Sequence, residues 1–185
     1  GDFVPPAVGT VLHRETADLT GHTNAPQVAA NVFETRQTPH LYGSGLIDTL
    51  SEATILAGAD PDDLLVPDGI SGRVSWTDGG RVGRFGWKAQ VPSLAEFVRD
   101  AVSTELGMTL PWVEGLTFGL IHDYDGVPDP EFRQEDADAL LFYMAMLAQP
   151  PRGTPVNVFD ADRGEEVFEE VGCALCHVPV LDGPS

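Results

Sequence analysis

Two cysteines and a histidine near the end of the sequence form the run Cys173-Ala174-Leu175-Cys176-His177. A C-x-x-C-H run is typical of a segment that binds a c-type haem. Each thiol can add to one vinyl group of the porphyrin, and the adjacent imidazole can then bind the iron as an axial ligand. The two-residue spacer lets one turn of chain present both sulfur atoms to the porphyrin edge. We therefore expect at least one covalent haem c, held by Cys173, Cys176 and His177.

A bare C-x-x-C pair also suits two other kinds of site, a thioredoxin-type redox dithiol and half of a zinc site. A four-ligand zinc site needs a second ligand pair, but these are the only two cysteines and no pair of histidines follows them. A thioredoxin motif opens a helix after a strand, whereas the segment Arg163 to Val171 before the motif is itself predicted to be a helix. Both alternatives are therefore less favoured than haem.

The residues before the motif predict the element that carries it. Val167, Phe168 and Val171 fall on one face of the predicted helix, and Gly172 can end it. A helix with an aromatic residue one turn before the cysteines resembles a cytochrome c module.

Charge and hydropathy narrow the range of partners. Ten basic residues against 29 acidic ones give a net charge of −19, and Lys88 is the only lysine. Such a field opposes nucleic acid and anionic lipid and attracts basic proteins. We expect a basic redox partner protein and no nucleic acid, with a solvated acidic coat as the alternative interpretation. No apolar run reaches about 18 residues, so we expect no membrane span.

The cofactor also predicts a compartment. C-type haem is attached outside the cytoplasm, so we expect a periplasmic or extracellular protein. Residues 1–6 lack the basic and apolar regions of a signal peptide. A leader is therefore expected to have been removed or to lie upstream.

The remaining pattern predicts short helices between long loops, because the chain has 20 glycines and 15 prolines. Residues 1–45 show little periodicity and predict extended coil. Helices are predicted from Leu46 to Leu56, from a capping Ser93 to Leu106 before Gly107, and from Gln134 to Ala148 before two prolines. The predicted class is mostly α.

Three separated segments resemble the di-haem oxidoreductase family of bacterial c-type proteins, which are distantly similar to di-haem cytochrome c peroxidases. They are residues 36–47 (the R-x-x-P-x-L-x-G-x-G-L block), residues 68–73 with 83–89, and residues 164–177. The resemblance implies a cytochrome c-like haem module with long irregular loops, part of a larger di-haem fold. Residues 46–150 then form a helical, loop-rich domain of this type, and 151–185 begin a haem module.

Members of this family usually carry two C-x-x-C-H sites and a methionine downstream of the second. Both the first site and the downstream segment are missing from this sequence. We therefore expect the chain to be a fragment, or a partner chain to complete the haem pocket. The alternative is a self-contained domain whose upstream residues cover the haem.

Further residues are candidates for the haem surroundings. Met108 follows a helix-ending glycine and is the candidate distal ligand, whereas Met144 is expected in the core and Met146 on the surface. The other histidines are expected to be hydrogen-bonded or solvent-facing: His13, His22, His40 and His122.

Arginines and one indole complete the set of candidates. A guanidinium matches a carboxylate bidentately, so three arginines are candidates for the haem propionates or for buried aspartates: Arg36, Arg73 and Arg84. Trp87, beside Lys88, could pass an electron between haems or pack against a porphyrin. An acidic loop predicts either a calcium site or a solvated turn, through Asp60, Asp62, Asp63 and Asp68.

These observations predict a c-type haem protein for electron transfer, part of a di-haem oxidoreductase. One alternative is a haem-bearing structural or interaction subunit of a larger multihaem assembly. Another is a peroxidase-like enzyme, for which Glu135 and His122 are the acid–base candidates.

Overall fold

The computed structural model describes residues 37–65, 68–123, 125–181 and 183. These ranges contain no strand, only three isolated antiparallel bridges. The helices are α1 (Ser44–Asp48), α2 (Glu52–Leu56), α3 (Leu94–Thr104), α4 (Gln134–Met146) and α5 (Val158–Glu170), and a 3-10 turn at Cys173–Leu175 follows. The predicted mostly α class is confirmed for this part of the chain. Most of the predicted coil at 1–45 lies outside it.

The described residues form two compact units. Unit 1 contains residues 37–41 and Ser93–Met144, and unit 2 contains Tyr42–Pro92 and the residues from Ala145 onward. The domain limits expected at residues 45 and 150 stay predictions.

Helix α3 of unit 1 begins as its sequence predicts. The Ser93 side chain accepts a hydrogen bond from the Glu96 backbone N–H at 3.3 Å. The helix ends at Thr104, and Gly107 takes a positive φ of 72° just beyond it. Ser93 and Gly107 therefore mark the ends of this helix within a few residues, as expected from local capping.

A buried carboxylate ties the following loop to α3. Glu96 is fully buried, and its Oε1 accepts hydrogen bonds from the Thr117 backbone N–H (2.8 Å) and hydroxyl (2.9 Å). Its Oε2 accepts from the Ser93 hydroxyl at 3.1 Å. Glu96 thus connects the start of α3 to a residue 21 positions further along the chain.

An arginine one turn along α3 holds the same loop. Arg99 is 4% exposed and donates to the carbonyls of Phe118 (2.9 Å) and Pro111 (2.8 Å). Burial lowers the pKa of Arg99, and the negative charge of Glu96 opposes that shift. The two side chains therefore hold this glycine-containing loop against α3 by hydrogen bonds to its backbone.

The apolar core of unit 1 lies beneath this loop. Val102, Leu110 and Ala137 form its buried centre, and Met108, Phe132 and Leu140 pack against it. The Leu110 N–H donates to the Leu120 carbonyl at 2.7 Å, which closes the loop over the core.

Helix α4 differs from its predicted pattern. It ends at Met146 instead of Ala148, and of its residues only Ala137 and Met144 are buried. Phe142 and Tyr143 are exposed at 68% and 60%. The run Leu140–Met146 is apolar almost all round, so periodicity alone could not select the buried face.

The first helix of unit 2 is interrupted. The predicted helix from Leu46 to Leu56 is two helices, because the chain turns at Thr49 and Ser51 caps α2 by accepting from the Thr54 N–H at 3.0 Å. Before α1, Gly43 takes a φ of 79° and donates its N–H to the Leu147 carbonyl at 2.8 Å.

A glycine is required at residue 45. A Cβ added there would lie 2.1 Å from the Ala145 carbonyl oxygen. The glycines of this sequence block therefore allow two backbone segments to approach closely.

No helix of the described ranges is long and apolar enough to cross a membrane.

We predict that Glu96→Gln lowers the free energy of unfolding by about 1.5–3 kcal/mol, the usual value of hydrogen bonds to a charged group. The amide keeps one acceptor oxygen but removes the charge facing Arg99 and a second acceptor. Guanidinium unfolding followed by far-UV circular dichroism measures the change. Glu114→Gln, in the exposed part of the same loop, is the matched control. Equal stability of the two variants would show that the Glu96 contacts contribute nothing.

Candidate functional site

The cysteine-histidine run lies on a tight turn directly after α5. Gly172 has a φ of 80° and directs the chain out of the helix, as its position predicts. Three backbone hydrogen bonds then close the turn: Leu175 N–H to Gly172 (3.2 Å), and the N–H groups of Cys176 (3.2 Å) and His177 (2.9 Å) to the Cys173 carbonyl. One carbonyl thus fixes the second cysteine and the histidine relative to the first cysteine.

Both thiols are free and exposed. Helix α5 supplies the surface beside them and begins at Val158, five residues before the predicted start. Asn157 caps it by accepting from the Phe159 N–H at 3.0 Å. The longer helix gives the turn a base of more than three helical turns.

An open pocket of about 510 Å³ lies against His177. One side belongs to α5 and the other to the chain after the turn. Its lining residues are Ala161, Gly164, Glu165, Phe168, Glu169, His177, Val178 and Pro179. A pocket of this size falls within the range of small-molecule and cofactor sites.

Phe168, on the wall of the pocket, makes a ring contact with the imidazole. Its ring centroid lies 6.2 Å from that of His177, with an angle of 61° between the planes. This edge-to-face arrangement is one of the favoured geometries of aromatic pairs.

The carboxylates of α5 are partly neutralised within the helix. Arg163 donates to Glu170 at 3.0 Å and to Glu166 at 2.8 Å, and these two carboxylates raise its pKa. Arg152 pairs with Glu165 at the edge of the pocket. The arginines nearest to the turn are thus engaged with neighbouring acids.

Several aliphatic side chains around the turn are exposed. Val171, Leu175, Val178 and Val180 are all more than half exposed. A group with a large apolar surface would remove them from water. The donor set also fits a haem, since two exposed thiols and an imidazole on one turn match the two thioether bonds and the axial bond of haem c.

Arg84, a candidate for binding the haem propionates, connects three backbone carbonyls of unit 2. Its Nη1 donates to the carbonyls of Pro92 (3.0 Å) and Val82 (3.3 Å), and its Nη2 donates to Leu50 at 3.0 Å. Its Nε is buried and has no hydrogen-bond partner among the described residues. A role towards a propionate stays a prediction.

Trp87 lies on a constrained turn of the same unit. Gly86, Lys88 and Ala89 all have positive φ, and the turn is closed at its base by the bridge between Phe85 and Val91. The Ala89 carbonyl folds back so closely that a Cβ at Gly83 would lie 1.8 Å from it. The indole is 54% exposed at the tip.

The remaining candidates are dispersed. Met108 packs against the core of unit 1, and Met144 is buried and Met146 exposed, as predicted. His40 and Arg73 are exposed. Three candidates, Arg36, His13 and His22, lie outside the described residues.

The two acid–base candidates have acidic or basic neighbours. His122 Nδ1 lies 3.3 Å from an Asp129 carboxylate oxygen, and the exposed Glu135 lies 4.0 Å from Arg133. Hydrogen bonding of His122 is therefore confirmed.

The acidic loop expected to bind calcium uses its carboxylates to cap turns. Asp60 accepts from the N–H groups of Leu64 and Leu65, both at 2.9 Å. Asp63 accepts from Asp68 (3.1 Å) and Gly69 (3.0 Å). Calcium binding here stays a prediction, with most of these oxygens already accepting backbone hydrogen bonds.

A second acidic group was not recognised from the sequence. Oxygen atoms of Asp123, Asp129 and Glu131 lie within 4.8 Å of one another in unit 1, so these three could hold a cation. Glu131 also binds the Thr109 N–H at 2.9 Å. The spacing of acids over residues 123–131 was the available signal.

Comparison with known families agrees with this site. A family model described as "Di-haem oxidoreductase, putative peroxidase" matches residues 29–183. Neither the curated proteins nor the solved structures yield a match. The family match covers most of the chain and includes the turn at Cys173–Leu175. The chain belongs to the di-haem oxidoreductase family, a group of redox proteins whose cofactor is haem.

Proposed function

We propose that the protein is a c-type haem protein that transfers electrons as part of a di-haem oxidoreductase. One observation carries the proposal: two exposed thiols and an imidazole share a turn closed on the Cys173 carbonyl, next to an open pocket. The family match supports a haem-dependent redox role in general. The family match does not specify covalent attachment or electron transfer, and we infer both from the turn and its exposed thiols.

Cys173 and Cys176 would hold the haem by thioether bonds, each formed by adding S–H across a vinyl group, so no oxidant is consumed. His177 would supply a neutral imidazole nitrogen to the iron. When bound, the haem supplies a one-electron iron couple. The turn holds the backbone of all three residues, and the α5 residues that line the pocket would contact the bound group. This arrangement supports a cytochrome c-like module within a larger di-haem fold.

The pocket is open, which supports a further part of the proposal. The aliphatic side chains around the turn remain exposed, so a partner chain or another segment is proposed to complete the haem enclosure. Because c-type haem is attached outside the cytoplasm, we also propose a periplasmic or extracellular location.

We expect that Cys173→Ala/Cys176→Ala abolishes covalent haem, because no other thiol is present in the sequence. Intact mass and a reduced-minus-oxidised visible spectrum of the full chain measure the loss. Ala174→Ser changes the spacer and keeps all three donors, so it should load normally.

The same measurement tests the compartment. Protein exported to the periplasm of a host that makes c-type cytochromes should gain haem, and protein kept in the cytoplasm should not. A colourless exported wild-type protein with the mass of its amino acids alone would refute the proposal.

The charge on α5 supports a basic redox partner. The helix carries six carboxylates, at Asp160, Asp162, Glu165, Glu166, Glu169 and Glu170, against one arginine. Exposed carboxylates beside a redox centre raise the rate of encounter with a cationic protein.

We predict that reduction by a lysine-rich cytochrome slows as ionic strength rises through about 0.1 M, where the Debye length is about 10 Å. Asp162→Asn/Glu169→Gln should slow it severalfold at low salt, as measured by stopped-flow absorbance. Glu114→Gln/Glu135→Gln removes the same charge from unit 1 and is the matched control. Equal slowing by both double variants would assign the effect to net charge alone.

Peroxidase activity is a second candidate, because the description of the matched family names it. Reduction of hydrogen peroxide to two waters takes two electrons and two protons, so a reduced one-electron donor must be supplied. We expect the haem-loaded protein to oxidise such a donor only when peroxide is present, as followed by donor absorbance. The Cys173→Ala/Cys176→Ala protein is the blank, and identical rates in both would exclude this activity.

A further inference from the structure

Within the part of the chain that the structure describes, hydrogen bonds hold the backbone of His177 but not its ring. The N–H of His177 donates to Cys173, whereas neither ring nitrogen has a hydrogen-bond partner among the described residues. A histidine that binds a metal usually donates its second ring N–H to a fixed acceptor, which sets the orientation of the ring. Among the described residues, the ring of His177 instead contacts an aromatic side chain.

Phe168 is placed to do this. Its ring meets the imidazole edge to face, with centroids 6.2 Å apart and planes at 61°. An edge-to-face contact depends on the angle between the rings, so it favours some rotations of the imidazole over others.

The phenyl ring is carried by helix α5. Phe168 is 36% exposed and lies in the last turn and a half of α5, which packs against the Cys173–Leu175 turn. Gly164 lies one helical turn before Phe168, and a Cβ added there would have no atom within 4 Å, so the space beside residue 164 is open. The contact with His177 is thus made by the phenyl ring, with no side chain at residue 164 to share it.

We propose that Phe168 is a positioning residue that sets the rotation of the His177 imidazole about its Cβ–Cγ bond, and with it the orientation of the axial ligand plane at the iron. The inference rests on the proposed haem site. It goes beyond that proposal by assigning the ring orientation to one aromatic side chain.

Phe168→Leu tests this, because leucine keeps the apolar bulk and removes the ring. The full chain is loaded with haem, haem content is measured by intact mass, and the ferric form is examined by electron paramagnetic resonance. We expect wild-type haem content together with a shifted g-tensor or a second ferric signal. The population of the alternative orientation should rise roughly twofold to tenfold, as expected for the loss of one aromatic pair.

Matched variants separate positioning from packing. Phe159→Leu makes the same change on the same helix at a side chain that is 84% exposed, and it should leave the spectrum unchanged. Phe168→Tyr restores a ring and should restore the wild-type signal. Phe168→Met is a second variant without a ring and should reproduce the Phe168→Leu spectrum.

The outcomes are distinct. A wild-type spectrum in Phe168→Leu overturns the proposal. Loss of haem from both Phe168→Leu and Phe168→Met also overturns it, since Phe168 then serves the folding of the module. Absence of haem from the wild-type protein refutes the proposed haem site itself, and mass alone reports that result.

Discussion

The carbonyl of Cys173 is the constraint on which the site depends. It accepts hydrogen bonds from the backbone N–H groups of both Cys176 and His177, so the backbone of these two residues is held from one point. Such a turn needs a residue that can leave the helix abruptly, and Gly172 does so with a left-handed backbone. The backbone of these residues is thereby ordered in advance, which would lower the entropic cost of binding the haem that we propose.

Unit 1 uses a different means of holding its loops. Its apolar core is small, and hydrogen bonds from polar side chains also hold its loops. Glu96 and Arg99 bind the backbone of a loop, and Thr109 and Glu131 bind each other. Buried polar groups of this kind stabilise only when they are satisfied. In unit 2, Arg84 does the same by holding three carbonyls.

Local signals in the sequence predicted the local structure. Ser93 and Gly107 delimit α3, and Gly172 ends α5, because caps depend on a few adjacent residues. The break between α1 and α2 was missed, since apolar residues continue through it. Long-range contacts were also beyond prediction: nothing near Glu96 in the sequence indicates that its acceptor role lies with Thr117. The C-x-x-C-H run was recognisable because its chemistry lies within five neighbouring positions.

The exposed aliphatic side chains around the turn favour association between copies of the chain. The exposed aliphatic patch consists of Val171, Leu175, Val178 and Val180. The adjoining helix α5 carries six carboxylates, which repel those of another copy of the chain. This repulsion opposes association through the aliphatic patch, so the acidic charge favours the dispersed state of the protein.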